Sequence, residues 1–308
     1  MTEQTADRSV LATLSNDLAA AVARAGRSVV TVSARGSGPS SGVVWDGEGT
    51  IVTAAHAIER SADIHVSYEG TTAAGVLVGR DPGSDVAVVR VAAAGLTPAD
   101  GGPTAAVLVG SLVLAVGRAD PASPMASFGV ASAVGGAWRT RHGDTVDGYI
   151  RTDVALLPGM SGGPLVDAQG RVLGMVSSSL GRGGAVALPT AAVALIVARL
   201  QSGRSQRRAY LGLGTQVVEI QATLRQRPQD TAETGLMVLS VERGAAAERG
   251  GLLVGDILLA LGDRRLTDGE ALLMALGPAA VGRPARVRAL RGGAVVELTV
   301  VPTERPRE

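Results

Sequence analysis

The 308-residue sequence contains no cysteine and no lysine, so arginine supplies all 29 of its basic side chains. The absence of cysteine excludes a thiol nucleophile, a disulfide framework and a thiolate zinc site. The absence of lysine excludes a Schiff base, a Ser–Lys dyad and a phosphate-binding loop of the Walker type. The three histidines leave little room for a histidine-based metal cluster, and we predict neither a metal nor a cofactor.

Aromatic side chains and net charge are also scarce, with 3 Tyr, 2 Trp, 1 Phe and a formal net charge of +1. Nucleic-acid surfaces rely on clustered positive charge and stacking rings, so we predict no nucleic-acid partner. The polar N-terminus is followed by no apolar core of a signal peptide, and no apolar run is long enough for a membrane-spanning helix. As written, the sequence predicts a cytoplasmic location, or a periplasmic or membrane-associated one if the N-terminus is incomplete.

Glycine, by contrast, is abundant at 42 residues, and short β-branched runs alternate with Gly, Pro, Asp and Ser. This texture is typical of a β-barrel or β-sandwich. Helical spacing of apolar residues predicts an N-terminal helix whose stripe is Leu11, Leu14, Leu18 and Val22. The predicted segments are an N-terminal helix (1–26), a β-rich domain (27–200), a polar linker (201–209), a smaller domain (210–302) and a disordered tail (303–308).

The motif with the clearest chemical meaning is Pro158–Leu165, in which glycines stand on both sides of Ser161. Glycine permits the tight backbone that exposes a hydroxyl and directs main-chain N–H groups to one point, as an oxyanion hole requires. The alternative is an ordinary Gly-Ser loop. Residues 159–163 also satisfy G-x-S-x-G, the nucleophile elbow of α/β-hydrolases, in which the histidine follows the serine.

The histidine positions argue against the α/β-hydrolase interpretation, because His56, His65 and His142 all precede Ser161. That order fits a chymotrypsin-type His–Asp–Ser triad instead. His56 lies where a strand runs into a small-residue turn, whereas His65 is an ordinary strand position and His142 lies in a polar loop. Asp85 opens an apolar strand, where it could be desolvated and orient an imidazole; the alternative is that it caps the strand after a Pro-Gly turn.

Three motifs together resemble the catalytic motifs of HtrA/Deg-type serine proteases. They are Thr53–His56, Ser84–Val88 and Gly159–Leu165. The intervals between the candidate histidine, aspartate and serine, 29 and 76 residues, are similar to those of the bacterial members. Met160 departs from the family, which commonly has Asn before the serine. Because the oxyanion donors are backbone groups, we expect activity to be retained.

The resemblance implies a mostly β chain, with a chymotrypsin-like double β-barrel protease domain followed by a PDZ domain of α+β type. It implies that Ser161 is the nucleophile, that His56 is the general base and then acid, and that Asp85 orients His56. The backbone N–H groups of Gly159 and Ser161 would form the oxyanion hole. An apolar segment would line the primary substrate pocket and favour cleavage after small or medium aliphatic residues; it comprises Val186, Ala187 and Leu188.

The residues after the linker resemble a PDZ domain, through Tyr210–Gly214 and a GL-x-x-GD pattern that begins at Gly251. The resemblance implies that the N–H groups of Leu211, Gly212 and Leu213 bind the terminal carboxylate of a peptide. The following strand would pair with that peptide by β-addition, beside a helix predicted at 269–276. The alternative is a small structural domain without a ligand.

These observations predict an ATP-independent serine endopeptidase that degrades unfolded or damaged proteins and binds peptide C-termini through its PDZ domain. The alternative is a resting or inactive protease-fold protein that acts as a peptide-binding chaperone or scaffold. Family members are often trimers held by N-terminal aromatic contacts, so the resemblance implies a homo-trimer. Residues 1–44, however, contain no aromatic side chain.

Overall fold

A computed structural model describes residues 9–58, 63–92, 95–101, 107–140, 145–181, 184–203, 209–220 and 233–304. These residues form two compact units, the first reaching residue 203 and the second starting at residue 209. The division falls within the segment that the sequence suggests as a linker.

The first unit contains helices α1 (Val10–Gly26) and α2 (Thr190–Gln201), and a short 3-10 helix at Ala55–Ile58. Its strands are β1 (Val29–Ala34), β2 (Ser40–Val44), β3 (Thr50–Ala54), β4 (Ile64–Tyr68), β5 (Thr71–Asp81), β6 (Val86–Val91), β7 (Leu112–Asp120), β8 (Ser123–Gly135), β9 (Trp138–Arg139), β10 (Thr145–Val146), β11 (Tyr149–Thr152), β12 (Pro164–Asp167), β13 (Val172–Ser177) and β14 (Ala185–Pro189). Strand β7 begins at Leu112, directly after a turn in which Gly110 has a φ of +89°.

Two closed antiparallel barrels make up this unit. The first has the strand order β1-β2-β3-β6-β5-β4, and the second has the order β11-β14-β13-β12-β7-β8. Alternation along β6 places Ala87 and Val89 in the interior cluster of the first barrel, whereas Val86 and Val88 pack with helix α2 on the other side. The predicted double β-barrel is confirmed, with cores filled mainly by aliphatic side chains as the scarcity of aromatics requires.

Helix α1 packs on the barrels mainly through small residues of its C-terminal half. Ala21 and Ala25 are buried, and Gly170 approaches so closely that a Cβ there would lie 2.6 Å from the carbonyl oxygen of Ala21. Leu11 is 75% exposed and Leu14 is 37% exposed. The helix predicted from the apolar stripe therefore forms, but only the C-terminal part of the stripe, Leu18 and Val22, packs against the barrels.

Arg118 on β7 connects α1 with both barrels. Its guanidinium donates to the carbonyl oxygens of Gly26 at 2.9 Å, Val29 at 2.7 Å and Pro121 at 3.1 Å. Its Cζ atom lies 5.2 Å from the centre of the Tyr68 ring. Burying a charge is costly, and here carbonyl dipoles and an aromatic face offset the loss of water.

Helix α2 is fixed to the first barrel by an ion pair. Arg199 in its last turn hydrogen-bonds to the buried carboxylate of Asp81, which stands at the end of β5. Asp81 also accepts hydrogen bonds from Ser84 Oγ at 2.9 Å and from the N–H of Gly83 at 3.2 Å. The turn that leads to Asp85 is thus held by its own side chains and by the helix.

The second unit contains helices α3 (Ala246–Arg249) and α4 (Gly269–Ala275). Its strands are β15 (Ala209–Tyr210), β16 (Leu213–Glu219), β17 (Thr234–Val241), β18 (Ile257–Leu261), β19 (Arg264–Arg265), β20 (Ala285–Arg291), β21 (Ala294–Val300) and β22 (Thr303–Glu304). The main sheet has the order β16-β17-β18-β20-β21, so β16 is an edge strand among those that the structure describes. One apolar cluster forms the core beneath it and includes Leu236, Val238, Leu258 and Val287.

Asp256, from the Gly-Asp pattern, is 1% exposed and anchors β20 to the turn before β18. It accepts two hydrogen bonds from Arg291, at 2.7 and 2.8 Å, and one from the N–H of Leu253 at 2.9 Å. Burial would raise the pKa of the Asp256 carboxyl, but these hydrogen bonds and the charge of Arg291 hold it below its usual value.

Two sequence predictions for this unit are corrected. Strand β22 pairs with β15, so the tail predicted at 303–308 and the linker predicted at 201–209 both include paired strand residues. The helix predicted at 269–276 is present as α4, in which Leu272 and Leu276 are buried whereas Leu273 is 43% exposed. Neighbouring helical residues point about 100° apart, so Leu272 and Leu273 do not share one buried face.

Candidate active site

His56 and Asp85 both come from the first barrel and meet at the same end of two paired strands. The register pairs Ala54 of β3 with Val86 of β6, which brings the adjoining residues together. His56 Nδ1 lies 2.8 Å from Oδ2 and 3.0 Å from Oδ1 of Asp85. The backbone N–H of His56 also donates to Oδ1 at 2.9 Å. The pair therefore has the geometry in which a carboxylate orients an imidazole.

Asp85 is buried and surrounded by hydrogen-bond donors. It is 2% exposed and has a φ of +56°, a left-handed conformation that is uncommon for a residue with a side chain. Ser177 Oγ donates to Oδ2 at 2.6 Å. Burial would raise the pKa of the Asp85 carboxyl, but the hydrogen bonds and charge of His56 and the Ser177 hydroxyl hold it below its usual value. Asp85 is therefore ionised at neutral pH and favours a proton on Nδ1 of His56.

The serine loop (158–164) depends on glycines at three positions. A Cβ at Gly162 would lie 2.2 Å from the carbonyl oxygen of Ser41, and one at Gly163 would lie equally close, 2.2 Å, to a carbonyl oxygen of β7. Gly159 and Gly162 have φ values of +86° and +85°, which side chains other than hydrogen rarely allow. The glycines are thus needed both for close packing and for backbone conformation.

Two serines of β2 set the direction of this backbone. Ser40 Oγ donates to the carbonyl oxygen of Ser161 at 2.6 Å, and the N–H of Ser41 donates to the same oxygen at 3.1 Å. Ser41 Oγ donates to the carbonyl oxygen of Gly159 at 2.6 Å. Within the part of the chain that the structure describes, the N–H groups of Gly159 and Ser161 donate to no protein group. They are available to a ligand, and their assignment as an oxyanion hole stays a prediction.

Ser161 lies in the second barrel, with its loop against the end of β3. A Cβ at Gly162 would be 2.7 Å from the amide nitrogen of Ala54, two residues before His56. The hydroxyl of Ser161, however, is hydrogen-bonded to Ser178 rather than to His56. Its Oγ lies 2.9 Å from Ser178 Oγ and accepts the N–H of Ser178 at 3.2 Å. The structure brings His56 and Asp85 into contact and places Ser161 nearby, with its hydroxyl held by another serine.

Ser177 and Ser178 were not predicted as site residues, although they contact Asp85, which orients the candidate base, and Ser161, the candidate nucleophile, respectively. The available signal was a run of three serines, 177–179, at the end of the apolar strand β13. Polar residues directly after a buried strand lie at the edge of the barrel, where a site can form, but this serine run matches no catalytic motif.

The remaining sequence candidates have ordinary positions. His65 is exposed on β4, and His142 lies outside the described residues. Met160 is fully buried in the core of the second barrel, where its sulfur accepts the N–H of Leu157 at 3.2 Å. No group of three or more potential metal ligands occurs in the described ranges, and no helix in them is long and apolar enough to cross a membrane.

The predicted pocket residues have buried side chains. Val186, Ala187 and Leu188 lie on β14 and are at most 2% exposed. Val186 and Leu188 pack in the cluster that contains α2, whereas Ala187 packs inside the second barrel. Alternation along β14 therefore directs the side chains to two different apolar clusters, and the assignment of this strand to a substrate pocket stays a prediction. The preference for aliphatic residues stays a prediction.

The candidate peptide-binding segment of the second unit leads directly into the edge strand β16. Gly212 has a φ of +75°, and a Cβ there would lie 2.2 Å from that of Ala245. Leu211 is 2% exposed in the core, and Leu213 is the first residue of β16. Helix α4 packs beside β16. Among the described residues, β16 therefore has one unpaired edge next to a helix, which is the arrangement that β-addition uses.

Comparison with known proteins agrees with this architecture. Residues 40–175 match the family model of the trypsin-like peptidase domain, and residues 210–301 match that of the PDZ domain. The structure of the HtrA-type protease AlgW with a decapeptide is 26% identical, with a TM-score of 0.61 over 94% of this chain and 99% of that one. The chain has the architecture of the HtrA-type serine proteases. The serine endoprotease from Yersinia pestis, 26% identical, has a TM-score of 0.60 over 94% of this chain and 98% of that one.

The sequence of the chain is also similar to those of curated proteases of the HtrA and DegP type. The Do-like serine protease HtrA of Bacillus subtilis is 30% identical over 284 residues, which are 83% of this chain and 62% of that protein. A protein of Chlamydia trachomatis named as a probable periplasmic DegP-like serine endoprotease is 28% identical over 273 residues, which are 87% of this chain and 54% of that protein. The chain thus spans between about half and two thirds of the length of these two relatives. The resemblance predicted from the three motifs is confirmed.

Proposed function

We propose that this HtrA-type chain is an ATP-independent serine endopeptidase that acts on unfolded or damaged proteins. The observation that carries the proposal is the buried, ionised Asp85 bonded to Nδ1 of His56, with the Ser161 loop packed against the end of the same strand. A carboxylate in this position keeps the proton on Nδ1, so that Nε2 is the ring nitrogen that accepts a proton during catalysis.

The residues then have distinct chemical roles. His56 Nε2 accepts the hydroxyl proton of Ser161 as Oγ attacks the carbonyl carbon of the peptide bond. The N–H groups of Gly159 and Ser161 stabilise the negative oxygen of the tetrahedral intermediate. Protonated His56 next donates its proton to the leaving amine, and water hydrolyses the acyl-enzyme by the reverse transfers. Asp85 remains ionised and stabilises the imidazolium throughout.

We further propose that the PDZ unit binds peptide C-termini at β16. The edge position of β16 and the Gly212 conformation that precedes it support this assignment. Solved structures of the similar protease AlgW are described with a decapeptide and with a tripeptide. The main-chain groups of β16 would supply affinity, and side chains of α4 would contribute to specificity.

A second candidate function is a resting or inactive protein that uses the same fold as a peptide-binding scaffold. The contact between Ser161 and Ser178 favours it, because the nucleophile is not bonded to its base. Degradation of casein without ATP separates the two functions. We expect the wild type to degrade casein and Ser161→Ala to be inactive while it still binds an apolar C-terminal peptide. Equal degradation by Ser161→Ala would refute the triad, and an inactive wild type that binds peptide would favour the scaffold.

A further inference from the structure

Ser178 contacts the candidate nucleophile with both its side chain and its backbone. Its hydroxyl oxygen lies 2.9 Å from Ser161 Oγ, and its N–H donates to the same Oγ at 3.2 Å. Ser178 itself is exposed at the end of β13, whereas Ser161 is only 8% exposed. The neighbouring Ser177 turns the other way and bonds to Asp85. Two adjacent serines therefore contact two different members of the proposed triad.

The hydrogen-bonding capacity of a hydroxyl group makes this contact incompatible with immediate attack. Ser161 Oγ has one proton and two lone pairs. Attack on a carbonyl needs one lone pair directed at carbon and the proton directed at His56 Nε2. The N–H of Ser178 already occupies one lone pair. The hydroxyl of Ser178 either accepts the proton of Ser161 Oγ or donates its own proton to the second lone pair. In both cases one requirement for attack is unmet.

We propose that Ser178 is a positioning residue that holds Ser161 in a resting orientation, from which substrate binding must release it. The proposal rests on Ser161 acting as the nucleophile. The chemical step is unchanged: release requires only that Ser161 Oγ exchanges its hydrogen bond to Ser178 for one to His56. The exposure of Ser178 means that water or substrate can take the place of Ser161 as its partner.

The consequence is that removing the Ser178 hydroxyl accelerates acylation. A neutral hydrogen bond of this kind contributes a net stabilisation that corresponds to about a 2- to 10-fold change in rate. A loss of structure would slow the reaction instead. Acceleration therefore distinguishes release of the nucleophile from general disturbance of the site.

The test measures the rate at which a fluorophosphonate probe labels the full chain, from about pH 5 to pH 9. We expect Ser178→Ala and Ser178→Gly to be labelled about 2- to 10-fold faster than wild type at the plateau, with an unchanged midpoint of the pH profile. Ser178→Thr keeps a hydroxyl and should return the rate to the wild-type value. Ser161→Ala is the blank.

Each other outcome has a defined meaning. If the wild type is labelled and both hydroxyl-free variants react at the same rate or more slowly, Ser178 does not restrain Ser161, although the proposed protease function stands. Acceleration in Ser178→Thr equal to that in Ser178→Ala would also overturn the inference, since the hydroxyl would then not be the cause. If neither the wild type nor the Ser178 variants are labelled, the assignment of Ser161 as nucleophile fails with it.

Discussion

Replacing Ser177 by alanine removes one donor from the buried carboxylate of Asp85. Ser177 is fully buried, and its Oγ lies 2.6 Å from Oδ2 of Asp85. A hydrogen bond to a charged group contributes about 1.5–3 kcal/mol. Because this hydrogen bond stabilises the ionised carboxylate, its removal should raise the pKa of Asp85 in the folded protein.

The stability effect depends on pH in a defined direction. In the wild type the pKa of Asp85 is below its usual value of 3.8, so its contribution is fully present above that value and is lost as pH falls through the folded pKa. Ser177→Ala moves the folded pKa upward. Its free energy of unfolding should therefore be about 1.5–3 kcal/mol lower than that of wild type at neutral pH. This difference should shrink as the pH falls through the raised pKa of Asp85 in the folded variant.

Urea unfolding followed between about pH 3.5 and pH 7 measures this difference. The matched control is Ser28→Ala, because Ser28 is also buried but donates to the neutral carbonyl oxygen of Ala25 at 2.9 Å. We expect the control to lose about 1 kcal/mol at every pH. If the two variants showed the same pH dependence, the bond between Ser177 and Asp85 would not hold the carboxylate ionised, and the reasoning would be refuted.

Three further predictions follow from close contacts and from exposure. Gly162→Ala places a Cβ 2.2 Å from the carbonyl oxygen of Ser41, at a residue whose φ is +85°. The substitution should therefore destabilise the first unit by about 2–4 kcal/mol and abolish fluorophosphonate labelling. Labelling at the wild-type rate would contradict the described backbone. Asp256→Asn removes the charged partner of Arg291 and should lower the free energy of unfolding of the second unit by about 1–3 kcal/mol. We expect weaker peptide binding, whereas fluorophosphonate labelling of Ser161 is retained. Unchanged peptide binding and unfolding would argue against this anchor. Leu11→Gln should change the free energy of unfolding by less than about 0.5 kcal/mol because Leu11 is 75% exposed, and a larger loss in thermal denaturation would mean that the residue is covered in solution.

Features of the fold that arise from local patterns could be predicted from sequence. β-Branched runs such as 86–91 indicated strands, and their alternation sends Ala87 and Val89 to one core and Val88 to another. What the pattern could not give was the depth to which each apolar residue is buried. Leu11 satisfies the same helical spacing as Val22, yet tertiary packing covers only the C-terminal part of α1.

The candidate site shows the same division. Chain order limited the partner of Ser161 to an upstream histidine, because no histidine follows the serine. The resemblance of three motifs to those of HtrA-type proteases then implied His56 and Asp85. The roles of Ser177 and Ser178 could not be predicted, because they depend on long-range contacts. Ser177 and Asp85 are separated by 92 positions in the sequence, and Ser178 and Ser161 by 17. The packing of the Val186 and Leu188 side chains against α2 could not be predicted either, because it also depends on the tertiary structure.

The hydrogen bonds that Arg118 makes to carbonyl oxygens of α1 and of the first barrel limit how the two barrels can move relative to each other. His56 and Asp85 belong to the first barrel and Ser161 to the second, so hinge-like separation of the barrels would pull the proposed triad apart. Such a movement would also withdraw the Arg118 guanidinium from the carbonyl oxygens that now surround it. We therefore expect the two barrels to behave as one stiff frame. Switching between resting and reactive states would then be confined to side-chain rotation and loop rearrangement on that frame, a regime of small, fast motions rather than domain opening.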